Sequence, residues 1–96
     1  MQTIQDICTA LSKHKKRLSA KYGISLLAVF GSYARNQQTY HSDIDILVDF
    51  DKPIGIEFVD LAGELEKILH SKVDLISKKS LKPKYFQSIS NDLMYV

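Results

Sequence analysis

The strongest constraint on the fold is an order of segments, because stretches of helical period alternate with strand-like runs along the whole chain. Ile4, Ile7, Cys8, Leu11, Leu18 and Tyr22 recur at helical spacing. That predicts a helix starting near Gln2 or Thr3 and stopping at Gly23. Its KHKKR run, residues 13–17, falls on the last turns, where cations suit the helix dipole. Leu26 to Phe30 is a continuous apolar run meeting Gly31-Ser32, the pattern of a buried strand entering a turn. A short helix over Tyr33 to Gln38, opening at Ser32, and a polar loop come next. Ser42 to Phe50 then alternates as a strand, with Ile44, Ile46, Val48 and Phe50 on one face and Asp43, Asp45, Leu47 and Asp49 on the other. Lys52-Pro53-Ile54-Gly55 breaks the chain, and Phe58, Leu61, Ala62, Leu65, Ile68 and Leu69 mark a strongly periodic helix. Val73 to Ile76 is a third strand. Pro83 opens a last helix over Lys84 to Asn91. Such an order predicts an α/β fold, one sheet with helices packed on it.

Ninety-six residues allow one domain, spanning 1–96, and exclude a site built between two lobes of one chain. Hydrophobic residues at 45% and charged ones at 25% are ordinary globular proportions, which excludes a disordered tail or a fibre. No apolar run approaches the roughly 18 residues of a membrane span, and the first segment is too polar for a secretion signal. A single cysteine, Cys8, makes no internal disulfide, and a cytoplasmic location is the expectation. The net charge of +2 hides a pattern: residues 1–22 and 75–96 are basic and the stretch between them is acidic. Acidic clusters favour metal cations, while basic surfaces favour phosphate or an acidic partner.

Chemistry concentrates where Gly31-Ser32 is followed, after ten residues, by Asp43-Ile44-Asp45. Period-two alternation puts both carboxylates on one strand face, with Cβ atoms about 6–7 Å apart. Two negative charges so close repel, and one tends to stay protonated unless a divalent cation relieves them. Mg²⁺ is commonly held by one or two carboxylates together with substrate phosphates, and Mn²⁺ suits the same oxygen ligands. Gly31 lets backbone approach a phosphate closely, Ser32 offers a hydroxyl, and Arg35, one turn further on, is expected to reach the same phosphate. Asp74, between Val73 and Leu75, points away from core-filling neighbours. If its strand lies beside that of Asp43 and Asp45, three acids line one face. Such a set suits phosphoryl or nucleotidyl transfer, with one carboxylate free to take the acceptor's proton. Taken singly, each feature has a plainer reading: Gly-Ser as an ordinary turn, the aspartates as a strand's solvent face, Arg35 as half of an ion pair.

At these residues the chain resembles the minimal nucleotidyltransferases of the DNA polymerase beta superfamily, and among them the MNT-type antitoxins encoded beside HEPN-domain toxins. The family pattern is Gly-Ser, ten residues, Asp-x-Asp, then a third Asp on a later strand. Gly31, Ser32, Asp43, Asp45 and Asp74 fill it in order, in the contexts GSYARN, SDIDILV and VDLIS. Asn36 stands where the family usually has glycine, and asparagine also tolerates a left-handed backbone. The resemblance implies a nucleotidyltransferase-like mixed sheet of three or more strands. It implies Mg²⁺ on Asp43 and Asp45 with Asp74 completing the carboxylate set, and Gly31 and Ser32 on the phosphates of ATP. It further implies transfer of AMP to a tyrosine of a HEPN RNase toxin, which silences it, in a hetero-oligomer and with no stable nucleic-acid binding. Two alternatives remain at this point: an antitoxin that neutralises by binding alone, and a nucleotidyltransferase acting on a small molecule. The second ranks last, since a chain of this length has no further domain to shape a small-molecule pocket.

Among the remaining residues, Asp49 and Asp51 are expected to be solvated and Cys8 to be a small core residue. Tyr33 is expected to pack in the core, with stacking on a base as the alternative. His14, His41 and His70 show no ligand spacing, His41 being the closest to the acids. Tyr95-Val96 is expected to add an edge strand or touch a partner.

Overall fold

A computed structural model describes residues 2–96. The chain runs α1 (Ile4–Tyr22), β1 (Ile24–Phe30), α2 (Gly31–Ala34), β2 (Ile44–Phe50), α3 (Glu57–Leu69), β3 (Val73–Ser77), a 3-10 turn (Lys78–Ser80), α4 (Pro83–Ser90) and β4 (Met94–Tyr95). Four strands form one mixed sheet in the order β3-β2-β1-β4, as the α/β expectation required. β1 pairs antiparallel with β2 and with β4, while β2 and β3 run parallel. Parallel neighbours need a long crossover, and α3 supplies it.

Helix α1 begins in a reciprocal cap. The Asp6 N–H donates to Thr3 Oγ1 at 3.2 Å and the Thr3 N–H donates to Asp6 Oδ2 at 3.0 Å, an arrangement worth about 1 kcal/mol. It ends at Gly23, whose φ of 70° is left-handed and whose N–H returns to the Ser19 carbonyl. KHKKR lies further inside the helix than its reading as terminal implied, because α1 continues to Tyr22 and only Lys21 occupies the last turn.

Ile7, Leu11 and Leu18 of α1 and Leu61, Leu65 and Leu69 of α3 are buried against Leu27, Val29, Ile44, Ile46 and Val48 in one cluster. Each such side chain contributes about 1.5–3 kcal/mol on burial, so this face of the sheet carries most of the stabilisation. A polar brace reinforces it. Glu64 of α3 accepts from Arg17 Nη1 at 2.8 Å, from Lys21 Nζ at 2.9 Å and from the Tyr22 hydroxyl. The Arg17, Tyr22 and Lys21 hydrogen bonds together hold its carboxyl down to about 2. Chain between Ser77 and Met94 crosses from one sheet edge to the other through α4, none of whose residues is fully buried. β4 fulfils the edge-strand alternative in part, through Met94 and Tyr95, and the Val96 N–H adds a bond to the Leu27 carbonyl.

Several boundaries moved: β1 starts at Ile24 rather than Leu26, β3 runs on to Ser77, and α4 spans Pro83–Ser90 rather than Lys84 to Asn91. α2 is a single turn starting at Gly31, not a helix over Tyr33 to Gln38, because Asn36 takes the left-handed conformation at φ 57° and ends it. β2 starts at Ile44, so Asp43 stands one residue ahead of the strand. No helix among the described residues is long and apolar enough to cross a membrane.

Candidate active site

Pairing register brings the separated motifs together. On β2, Asp45 is opposite Phe30, the last residue of β1, on one side and opposite Asp74 of β3 on the other. Adjacent strands lie about 4.8 Å apart and paired residues share a face, so the two carboxylates stand side by side. Asp43 lies two residues ahead in the same alternation. Asp43 and Asp45 are half-buried and Asp74 is exposed.

Gly31, directly after Phe30, explains why glycine is needed here. Its φ is +75°, and a Cβ built on it would lie 2.1 Å from Asp45 Oδ2 and 3.0 Å from Asp45 Cγ. The turn therefore presses its backbone against the carboxylate, and any side chain would occupy the same volume. Ser32 follows as the second residue of α2, half-buried, and no side chain caps that helix. Its backbone N–H groups are thus left to other acceptors.

Electrostatics single out Asp45. Its carboxyl is pushed up to about 6, first by burial, then by the charges of Asp74 and Asp43, with Arg35 acting in the opposite direction. Mutual repulsion of this kind is what a divalent cation removes. Among the described residues no three acidic, histidine or cysteine side chains close on one point as a metal cage. The donor set fits instead an ion held by one or two carboxylates that takes its other ligands from phosphates and water.

The other sequence candidates divide. Arg35 is near enough to act on Asp45, yet its Nη1 pairs with Asp92 Oδ2 at 2.8 Å. Tyr33 is 5% exposed and belongs to the main core, so packing is its role. His41 is exposed in the turn before Asp43. Asp92 carries no sequence signal, standing 57 positions from the arginine it meets. A recess of 460 Å³ is lined by Gln2, Asp6, Tyr33, Tyr40 and Ser71. Asp43 and Asp45, half-buried, and Asp74, exposed, are not among its lining residues.

Residues 11–95 match the nucleotidyltransferase domain family. The chain belongs to that family. Within it, this nucleotidyltransferase groups with the minimal, MNT-type members. It is 51% identical over 100 residues to a candidate protein adenylyltransferase of Methanocaldococcus jannaschii, with 100% of both chains covered. It is 39% identical over 97 residues to the protein adenylyltransferase MntA of Thermococcus cleftensis, covering 100% of this chain and 98% of that one. Among solved structures it is similar to the complex of a tri-AMPylated Shewanella oneidensis HEPN toxin with its MNT antitoxin. The TM-score is 0.68 at 26% identity, over 93% of this chain and 70% of that one. The nucleotidyltransferase is thus of the adenylyltransferase group, and a nucleotide is its substrate.

Proposed function

We propose that the chain is a Mg²⁺-dependent protein adenylyltransferase that transfers AMP from ATP to a hydroxyl, a tyrosine by family resemblance, of a HEPN-type toxin, and so acts as its antitoxin in a hetero-oligomer. The observation that carries this reading is the register: Asp45 stands between Asp74 and the end of β1, with Gly31 packed against its carboxylate. Asp43 and Asp45 are assigned to the divalent cation, Mg²⁺ or Mn²⁺, which when bound neutralises phosphate charge at the site. Gly31 and Ser32 are assigned to the nucleotide phosphates, with backbone N–H groups and the serine hydroxyl as donors. Asp74, assigned to complete the carboxylate set, is exposed beside Asp45 and so accessible to an acceptor entering from solvent. In the step, the acceptor oxygen bonds to the α-phosphorus and the bond to the bridging oxygen breaks. Pyrophosphate leaves, and the acceptor's proton passes to a carboxylate. The exposure of Asp74 supports a protein acceptor, since a second surface can then reach the carboxylates and complete the site.

The alternative of neutralisation by binding alone is separated by one experiment. Asp43→Asn/Asp45→Asn is produced with the toxin, and RNase activity and AMP on the toxin are measured. The enzymatic reading expects active RNase and no AMP. Full neutralisation by the double variant, with no AMP on the toxin, overturns it.

A further inference from the structure

The chain beyond α4 returns to the site through one ion pair. Arg35 Nη1 donates to Asp92 Oδ2 at 2.8 Å, and Arg35 Nε donates to Gln37 Oε1 at 3.3 Å. Asp92 is itself fixed. Its N–H donates to the Ile89 carbonyl at 3.0 Å, and two residues later Met94 and Tyr95 pair with Val29 and Ala28 of β1. Lys15 of α1 donates to the Val96 carbonyl as well. Asp92 therefore rides on a segment fastened to the same strand that delivers Gly31.

Arg35 is fixed from its own side. It ends α2, and its N–H donates to the Gly31 carbonyl at 3.1 Å. A guanidinium carries five N–H donors in a rigid fork. Asp92 and Gln37 take two of them, which leaves an edge unengaged, and the charge is close enough to act on Asp45. An arginine with 45% of its side chain exposed would, without such a partner, lose rotamer freedom each time it met a phosphate. A carboxylate that holds it beforehand removes part of that loss.

We infer that Asp92 is a positioning residue, holding the Arg35 guanidinium beside the carboxylates so that its free N–H groups meet the phosphates of ATP. This rests on the nucleotidyltransferase reading of the site above. The opposite role is a competitor that occupies Arg35 until phosphate displaces it. The two differ in sign: removing a positioning group weakens ATP binding, and removing a competitor tightens it.

The test is calorimetric titration of ATP with Mg²⁺ into the intact chain as wild type, Asp92→Asn, Asp92→Glu, Arg35→Ala and the double variant Asp92→Asn/Arg35→Ala. Asp92→Asn is expected to raise the Kd about five- to tenfold, the size of one charge-assisted hydrogen bond at a partly exposed site. Asp92→Glu is expected to recover most of the affinity. In the Arg35→Ala background, Asp92→Asn is expected to do nothing further, since it acts through the missing group. An exposed pair contributes little to folding, so thermal melting should stay near wild type; a merely structural role would move melting and leave the cycle additive. Unchanged or tighter ATP binding by Asp92→Asn, or additive effects in the cycle, overturns the inference. If the wild type binds ATP and transfers AMP while Asp92→Asn binds normally, only this inference fails. A wild type that binds no ATP overturns the site reading along with it.

Discussion

Asp45 stores repulsion, and replacing it should make the nucleotide-free protein more stable. Burial, then the charges of Asp74 and Asp43, raise its carboxyl from 3.8 to about 6. Between those values the folded state holds a proton that the unfolded chain has released, so stability falls as pH rises through that window. The penalty is absent below about pH 4 and fully present above about pH 6. Asp45 is only half-buried, and with solvent screening allowed for the penalty is roughly 1 kcal/mol. For a domain of this size that corresponds to about 4–8 °C in melting temperature. Asp45→Asn keeps the shape and removes the charge. Melting of the metal-free protein is followed by circular dichroism at about pH 8 and about pH 4 for wild type and variant. The variant should melt several degrees higher at the upper pH, the two should converge at the lower pH, and the variant should transfer no AMP. An Asp45→Asn protein that melts at or below wild type at about pH 8 would refute the claim that repulsion and desolvation dominate at this carboxylate.

Other expectations follow from the same geometry. Gly31→Ala places a methyl group at 2.1 Å from Asp45 Oδ2 in a left-handed turn, which costs at least about 1–2 kcal/mol. Its melting temperature should fall by about 5–15 °C, and label-transfer assays should find the activity gone. With Asp74 as the proton acceptor, Asp74→Asn should leave ATP affinity, measured by calorimetry, near wild type while lowering the transfer rate about a hundredfold or more. Mg²⁺ titrated into the protein in the presence of ATP should raise the melting temperature, and Asp45→Asn should lose most of that rise. Glu64→Gln should lower the melting temperature by a few degrees at neutral pH, since it weakens the brace from Arg17, Lys21 and Tyr22. Because the Glu64 carboxyl is held down to about 2, that difference should shrink as pH falls from about 4.5 toward 2.

Legibility in the sequence tracked how local the cause was. α1 and α3 were readable from apolar spacing because each buries one long face. Gly23 marked the end of α1 because a left-handed residue is needed there. A helix of one turn gives no periodicity, so the end of α2 at Asn36 could not be seen, although the left-handed tolerance of Asn36 was. Asp43, Asp45 and Gly31 were legible through their spacing. That Asp74 stands in register with Asp45 depends on which strands become neighbours, a consequence of the α3 crossover that spacing alone leaves open. The Arg35–Asp92 pair was invisible for a stronger reason. It exists only because β4 folds back onto β1 and returns the end of the chain to the start of α2.

As proposed above, these carboxylates move a nucleotidyl group onto a partner protein. ATP labelled at the α-phosphate, incubated with the chain, Mg²⁺ and the HEPN-type toxin, tests it most directly. Wild-type reactions should put label on the toxin and release one pyrophosphate per label, and Asp43→Asn or Asp45→Asn should do neither. Label transferred equally well by those variants, or pyrophosphate released with no label on any protein, would contradict it.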